Sequence, residues 1–146
     1  MQGIRTFVSN IFYGNNQAFI YIWLSKSEKL VYVGQTNDRF GTWGRSFGHI
    51  QPQGTLRMRC EQILGIDIDF IEDLVLVSYL LPQTIEFTGE ETSFRLAVEY
   101  LVQIGLQEKR KDLIPTFRII SNVSISDRVV SQNLCWLKEK SESHLK

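Results

Sequence analysis

Two tyrosines, an arginine, a histidine and two glutamates follow one another in an order that could do chemistry. Tyr21 and Tyr32 lie eleven positions apart, each at the centre of a short apolar run. Arg45 and His49 come next, four apart, so a helix would set them on one face. Glu91 and Glu99 follow in a stretch of helical periodicity. Each residue also has an ordinary reading. Tyrosine in a strand is commonly a packing aromatic. As a base it is poor, with an unperturbed pKa of about 10, and it needs a cation or metal-bound water beside it to work. Arg45 could clamp an anion through paired charged hydrogen bonds, or be a solvated helix residue. His49 could relay a proton, or lie at the surface shortly before Pro52. Glu99 could hold a hard cation, or bridge Arg95 on an exposed helix face, a contact worth only about 0.3–0.5 kcal/mol.

The elements that must position these groups can be read from the chain. Ala18 to Leu24 and Leu30 to Gln35 are rich in aromatic and β-branched residues and bounded by turn formers, which predicts two strands. The five residues Ser25 to Lys29 suit an antiparallel hairpin. Alternation places Ile20, Ile22 and Leu24 on one face and Phe19, Tyr21 and Trp23 on the other. Such a hairpin buries the aliphatic face and presents the tyrosines. Asn37 to Gly44 reads as a looped insertion, and Thr42 or Gly44 opens a helix carrying Arg45 and His49 that Pro52 ends. Leu56, Cys60, Ile63 and Leu64 recur at helical spacing, with Arg57 and Arg59 opposite and Gly65 as the stop.

The near-continuous apolar run Leu74 to Leu81 predicts a central strand, buried on both faces and paired with the hairpin. The longest helix runs from Gly89 to Lys109, with Glu90 and Glu91 suiting its start and Lys109, Arg110 and Lys111 its end. Phe94, Val98, Leu101 and Gly105 form its apolar stripe. At about 100° per residue Glu91 falls near that stripe and Glu99 at its edge. Pro115 precedes an extended segment to Asn122, and Ser126 could cap a last helix. Met1 to Gln17 reads as an extra strand or a wrapping arm, and Ser141 to Lys146 as a frayed polar tail.

Phe19-Ile20-Tyr21 followed by Tyr32-Val33-Gly34-Gln35-Thr36, with Arg45 and His49 beyond, resembles the paired motifs of the GIY-YIG nucleases. Phe19 stands where that family has its first glycine. The resemblance covers roughly Ala18 to Asn122. It implies a small three-stranded, largely antiparallel sheet flanked by helices, and a metal-dependent endonuclease that hydrolyses DNA phosphodiesters without a covalent intermediate. It makes Tyr21 the base for water, Tyr32 a hydroxyl for phosphate or water, and Arg45 the stabiliser of the scissile phosphate. His49 becomes a proton relay or a second phosphate contact. A glutamate on the helix after the third strand would hold Mg²⁺ or Mn²⁺. The run Ala97 to Gln103, with an aromatic after the acid and a glutamine four on, points to Glu99, with Glu91 second. Gly34, where backbone must approach the phosphate closely, belongs with Thr36, Arg39, Lys29 and the late Asn122 among the nucleic-acid contacts.

Length and composition set the bounds. At 146 residues and 43% hydrophobic content the chain predicts one α/β (α+β) domain with a real core: 18–122, an N-terminal arm 1–17 and a C-terminal helix 126–146. Lys plus Arg and Asp plus Glu number 16 each, which argues against a purely electrostatic nucleic-acid binder. Arg39, Arg45, Arg57 and Arg59 nevertheless gather in one region, so a basic face fits within a neutral total. Cys60 and Cys135 lack any paired-ligand spacing and read as reduced thiols in a cytoplasmic protein. No apolar run approaches a membrane span. The implied partner is double-stranded or branched DNA. Without an added DNA-binding domain, specificity would come from a homodimer or from recognition of DNA structure. A catalytically weak or inactive module binding DNA or a protein partner, and an RNA-directed nuclease, are the alternatives.

Overall fold

The computed structural model describes residues 14–109 and 117–125. Strands β1 (Phe19–Ser25) and β2 (Leu30–Thr36) form the predicted hairpin, with Tyr21 opposite Gly34 and Trp23 opposite Tyr32. Asp73 fastens its turn. One carboxylate oxygen accepts the backbone N–H groups of Lys26 and Ser27, each at 2.9 Å, and the other accepts the Ser25 and Ser27 hydroxyls. The Ser25 hydroxyl is the largest of the bonds that hold the Asp73 carboxyl well below the usual carboxylate range.

The other strands correct two expectations. β3 (Val75–Leu80) pairs antiparallel with β1 but stands at the sheet edge, in the order β3-β1-β2-β4. Its end residues Val75 and Leu80 are exposed, so the apolar run is not buried on both faces; β1 and β2, each paired on both sides, are the interior strands. Among the described residues the sheet also has four strands rather than three. β4 (Arg118–Ile119), within the segment read as extended, adds to β2 in parallel through Leu30–Arg118 and Val31–Ile119. The class is a mixed α+β fold, as composition and pattern predict.

Helices cover both faces of the sheet. Ala18, Ile20, Val31 and Val33 pack against α3 (Ile85–Thr88) and α4 (Ser93–Lys109) through Phe87, Ala97, Val98 and Val102. On the other face, Tyr21, Trp23 and Tyr32 form a second core with Leu56 of α2 (Thr55–Arg59) and Cys60, which begins a π-helical turn through Leu64. Gly65, at φ +70°, ends that turn in the left-handed conformation the sequence anticipates. The tyrosine face is therefore not presented to solvent. Tyr21 and Tyr32 are 1% and 6% exposed, because α1 (Gly41–Ile50) and α2 lie over them.

Helix boundaries shift by a few residues. Gly41, at φ +64°, closes a turn onto the Asp38 carbonyl and opens α1, so Gly44 is helical rather than part of an inserted loop. α4 starts at Ser93, leaving Glu90 and Glu91 in the preceding connection. Its buried residues include Arg95 and Gln103 beside Ala97, Val98 and Val102, whereas Phe94, Leu101 and Gly105 are half-buried. Residues 1–13, the basic residues 110–111, Cys135 and the helix expected from Ser126 lie outside the described residues. Among the described residues no helix is long and apolar enough to cross a membrane.

Candidate active site

Tyr21 of β1, Tyr32 of β2, Arg45 and His49 of α1, and Glu99 of α4 converge. The Tyr21 hydroxyl and His49 Nε2 share a 2.6 Å hydrogen bond. The imidazole also meets the Tyr32 ring edge-on, with centroids 5.3 Å apart. The four-residue spacing works as helical geometry requires. His49 faces the tyrosines and is buried, while Arg45, one turn earlier, stays exposed at the rim.

Gly34 has a different reason from the one expected. A β-carbon there would lie 2.4 Å from both Cζ and Oη of Tyr21. The close approach is that of the Tyr21 ring across the strand pair, and it aims the hydroxyl at His49.

Burial dominates the electrostatics. It pushes the Tyr21 hydroxyl far above its usual value; Tyr32 and Glu99 add to the rise and Arg45 opposes it. Tyr32 is pushed up to about 12, by burial first, then by Glu99, with Arg45 and Arg59 pulling back. His49 is lowered to about 4 by burial and by the Arg45 charge, so the imidazole is neutral at pH 7. Neither tyrosine is a preformed tyrosinate. At both hydroxyls desolvation outweighs the Arg45 charge.

Glu99 is pushed up to about 7 by burial, with Arg45 pulling it down. It accepts a hydrogen bond from Gln103 Nε2 at 3.3 Å and forms no ion pair with Arg95. Arg95 turns inward instead. It donates to the carbonyls of Phe87 and Gly89 at 2.6 and 2.8 Å and to Gln35 Oε1 at 2.9 Å. The surface-bridge reading of Glu99 therefore fails. Glu91 is exposed, off the helix and hydrogen-bonded to Ser93; it does not join the tyrosines.

The late asparagine does come close. Gln103 donates to the Asn122 carbonyl at 3.0 Å and to Ser121 Oγ at 3.1 Å, and Arg59 donates to Asn122 Oδ1. Arg59 and Gln103 thus belong to the site's surroundings. A glutamine four residues after Glu99 was the signal for one; the other had only its place in the arginine-rich stretch. Thr36 and Arg45 line one open cleft of about 210 Å³ with Thr92 and Arg95. Arg39 stacks over the Phe40 ring at 4.6 Å, next to that helix. Lys29 sits in the hairpin turn at φ +52°, and it is Arg45 and Arg59 whose charges act on the tyrosines.

Among the described residues no three His, Cys, Asp or Glu side chains gather to hold a metal by themselves. Mg²⁺ is commonly held by one or two carboxylates, with waters and substrate phosphate completing its shell. Glu99 suits that use: it is half-buried, it forms no salt bridge, and its second carboxylate oxygen makes no hydrogen bond among the described residues. Comparison of the chain with protein-family models, with curated proteins and with solved structures finds no match.

Proposed function

We propose that the chain is a metal-dependent endonuclease that hydrolyses DNA phosphodiester bonds. One observation carries the reading. A desolvated, unpaired Glu99 carboxylate stands with a hydrogen-bonded Tyr21–His49 pair and a rim arginine, from three separate elements. Structural packing alone would favour apolar groups at the buried positions among these.

In this reading Arg45 binds the non-bridging oxygens of the scissile phosphate and stabilises the charge that grows there. The Tyr32 hydroxyl donates a hydrogen bond to phosphate or water. Water attacks phosphorus as the bond to the 3′-oxygen breaks. The water's proton passes to the Tyr21 oxygen while the Tyr21 proton passes to His49 Nε2. No free tyrosinate is required, which suits the raised pKa of Tyr21. Glu99 would hold the divalent ion, Mg²⁺ or Mn²⁺, which when bound stabilises the departing alkoxide. The 3′-oxygen takes its proton from solvent water, and the products are a 5′-phosphate and a 3′-hydroxyl. Cys60, a buried free thiol pushed up to about 11 mainly by burial, suits a reducing compartment and so a cytoplasmic enzyme.

The test is incubation of supercoiled plasmid, branched DNA and matched RNA with the protein in Mg²⁺, Mn²⁺ or EDTA. Discrete DNA cuts that EDTA abolishes support the nuclease. Binding of DNA without cutting in either ion would leave an inactive binding module. Cleavage of the RNA alone would change the substrate.

A further inference from the structure

Helix α1 has a second face, turned away from the tyrosines. Phe40, just before the helix, and Phe47 within it are 54% and 53% exposed, and Trp43 between them is 38% exposed. At about 100° per residue Trp43 and Phe47 fall within an arc of about 40°, and Phe40 stands against Gly44 beside them. Around the helix from them come Gly44 and Gly48, then Arg45 at the rim of the site, then buried His49.

Gly48 is the telling residue. A β-carbon there would meet nothing within 4 Å, so any small side chain fits. Glycine in a helix interior nonetheless weakens the helix relative to alanine. Gly44 is covered by Phe40, whose Cβ a β-carbon there would meet at 2.7 Å, so it is at Gly48 that bare backbone lies between the aromatic stripe and Arg45, as a close-lying ligand chain would use it.

The charges say which ligand. From Arg39 to Cys60 the sequence carries four arginines and no carboxylate; Asp38, just before it, turns its carboxylate back onto the Phe40 N–H at 2.7 Å. Arg57 is neutralised by Asp67 and Asp69 at 2.6 and 2.7 Å. Arg39, on the Phe40 ring, and Arg45 remain beside the aromatic stripe. A second copy of the chain on this face would set like charges against each other across a two-fold axis. A duplex offers phosphates, but its bases are already stacked, and a neutral protein gains little from phosphates alone.

We infer that the outer face of α1 stacks unpaired bases of single-stranded or forked DNA next to the cleaved phosphate, with Phe40 and Phe47 as platforms and Gly48 as the track for the backbone. Aromatic faces accept every base and so read strand separation rather than sequence. This names the substrate class of the nuclease site and rests on that reading.

The experiment measures binding in EDTA, apart from cleavage, by fluorescence anisotropy of a labelled fork and of a blunt duplex of the same sequence. The wild type is expected to bind the fork at least tenfold tighter. F40A/F47A is expected to lose roughly tenfold or more on the fork, with duplex affinity within twofold of wild type. F40L/F47L, which keeps apolar bulk but cannot stack, should lose as much. Equal wild-type affinity for fork and duplex, equal loss on both, or full retention by the leucine variant overturns the inference. So does a wild-type dimer in sedimentation that F40A/F47A dissociates. A protein that prefers the fork but never cuts it refutes the nuclease while sustaining the stacking face; one that cuts but prefers neither substrate does the reverse.

Discussion

Substituting Gly34 by alanine tests how the tyrosine pair is built. The new β-carbon would meet Cζ and Oη of Tyr21 at 2.4 Å and Cε2 at 2.8 Å. Carbon contacts are comfortable at about 3.5–4.0 Å, so the ring must retreat by roughly 1 Å. Tyr21 is 1% exposed and lies in a core with Trp23, Leu56 and Cys60, which leaves it nowhere to go. Overpacking of this kind costs about 1–3 kcal/mol, and loss of the bond to His49 adds about 1 kcal/mol. Alanine in a strand returns about 0.5–1 kcal/mol relative to glycine. The net expectation is a loss of roughly 1–3 kcal/mol in urea unfolding. In a Tyr21→Ala background the clash disappears, and Gly34→Ala becomes neutral or mildly stabilising. The double-mutant cycle should therefore show coupling of about 2–4 kcal/mol. Additivity within about 0.5 kcal/mol would refute the claim that Gly34 seats the Tyr21 ring. Cleavage by Gly34→Ala should fall about a hundredfold, the usual consequence of a 1 Å misplacement.

Two further perturbations follow from buried charge. His49 titrates near 4 in the fold against 6.5 in the unfolded chain, so it removes stability as pH falls from 6.5 to 4; Glu99, raised from 4.5 to about 7, removes stability as pH rises from 4.5 to 7. The two slopes oppose each other in the wild type, and each is on the order of 3 kcal/mol. In EDTA, Glu99→Gln should lose stability on acidification and His49→Gln on alkalinisation; flat urea midpoints in both variants would contradict these assignments. Arg95→Met removes a donor from the Phe87 carbonyl and the Gln35 side chain and leaves the Gly89 carbonyl to Asn37, and should cost about 1–3 kcal/mol in the same assay. A wild-type midpoint would show that these bonds contribute nothing net.

The hairpin was legible because strand alternation and turn chemistry are local. The i, i+4 spacing of Arg45 and His49 was legible for the same reason. What failed was set by distant partners. Leu74 to Leu81 reads as a buried central strand by composition, but its place at the edge depends on pairing that no local pattern encodes. The tyrosine face looked free because the lid over it, Leu56 and Cys60, comes from a later helix and the turn that follows it. The apolar stripe of α4 omitted Arg95 and Gln103, since their partners are carbonyls and side chains supplied by other segments. Glu91 was a rival to Glu99 only while the helix was taken to start at Gly89; with its start at Ser93, one carboxylate reaches the tyrosines and the other does not. At Gly34 the sequence marks a close approach, and a ring of the same chain makes one.

The most direct test is single-turnover cleavage of one labelled branched DNA by wild type, Arg45→Ala and Glu99→Gln in Mg²⁺, with affinity measured in parallel in EDTA. The account predicts discrete cutting by wild type, stopped by EDTA. Glu99→Gln should bind within a few-fold of wild type and cut at least a hundredfold more slowly, and Arg45→Ala should lose about 10²–10³-fold in rate. Cutting by Glu99→Gln at the wild-type rate, or a wild type that binds and never cuts, would contradict it.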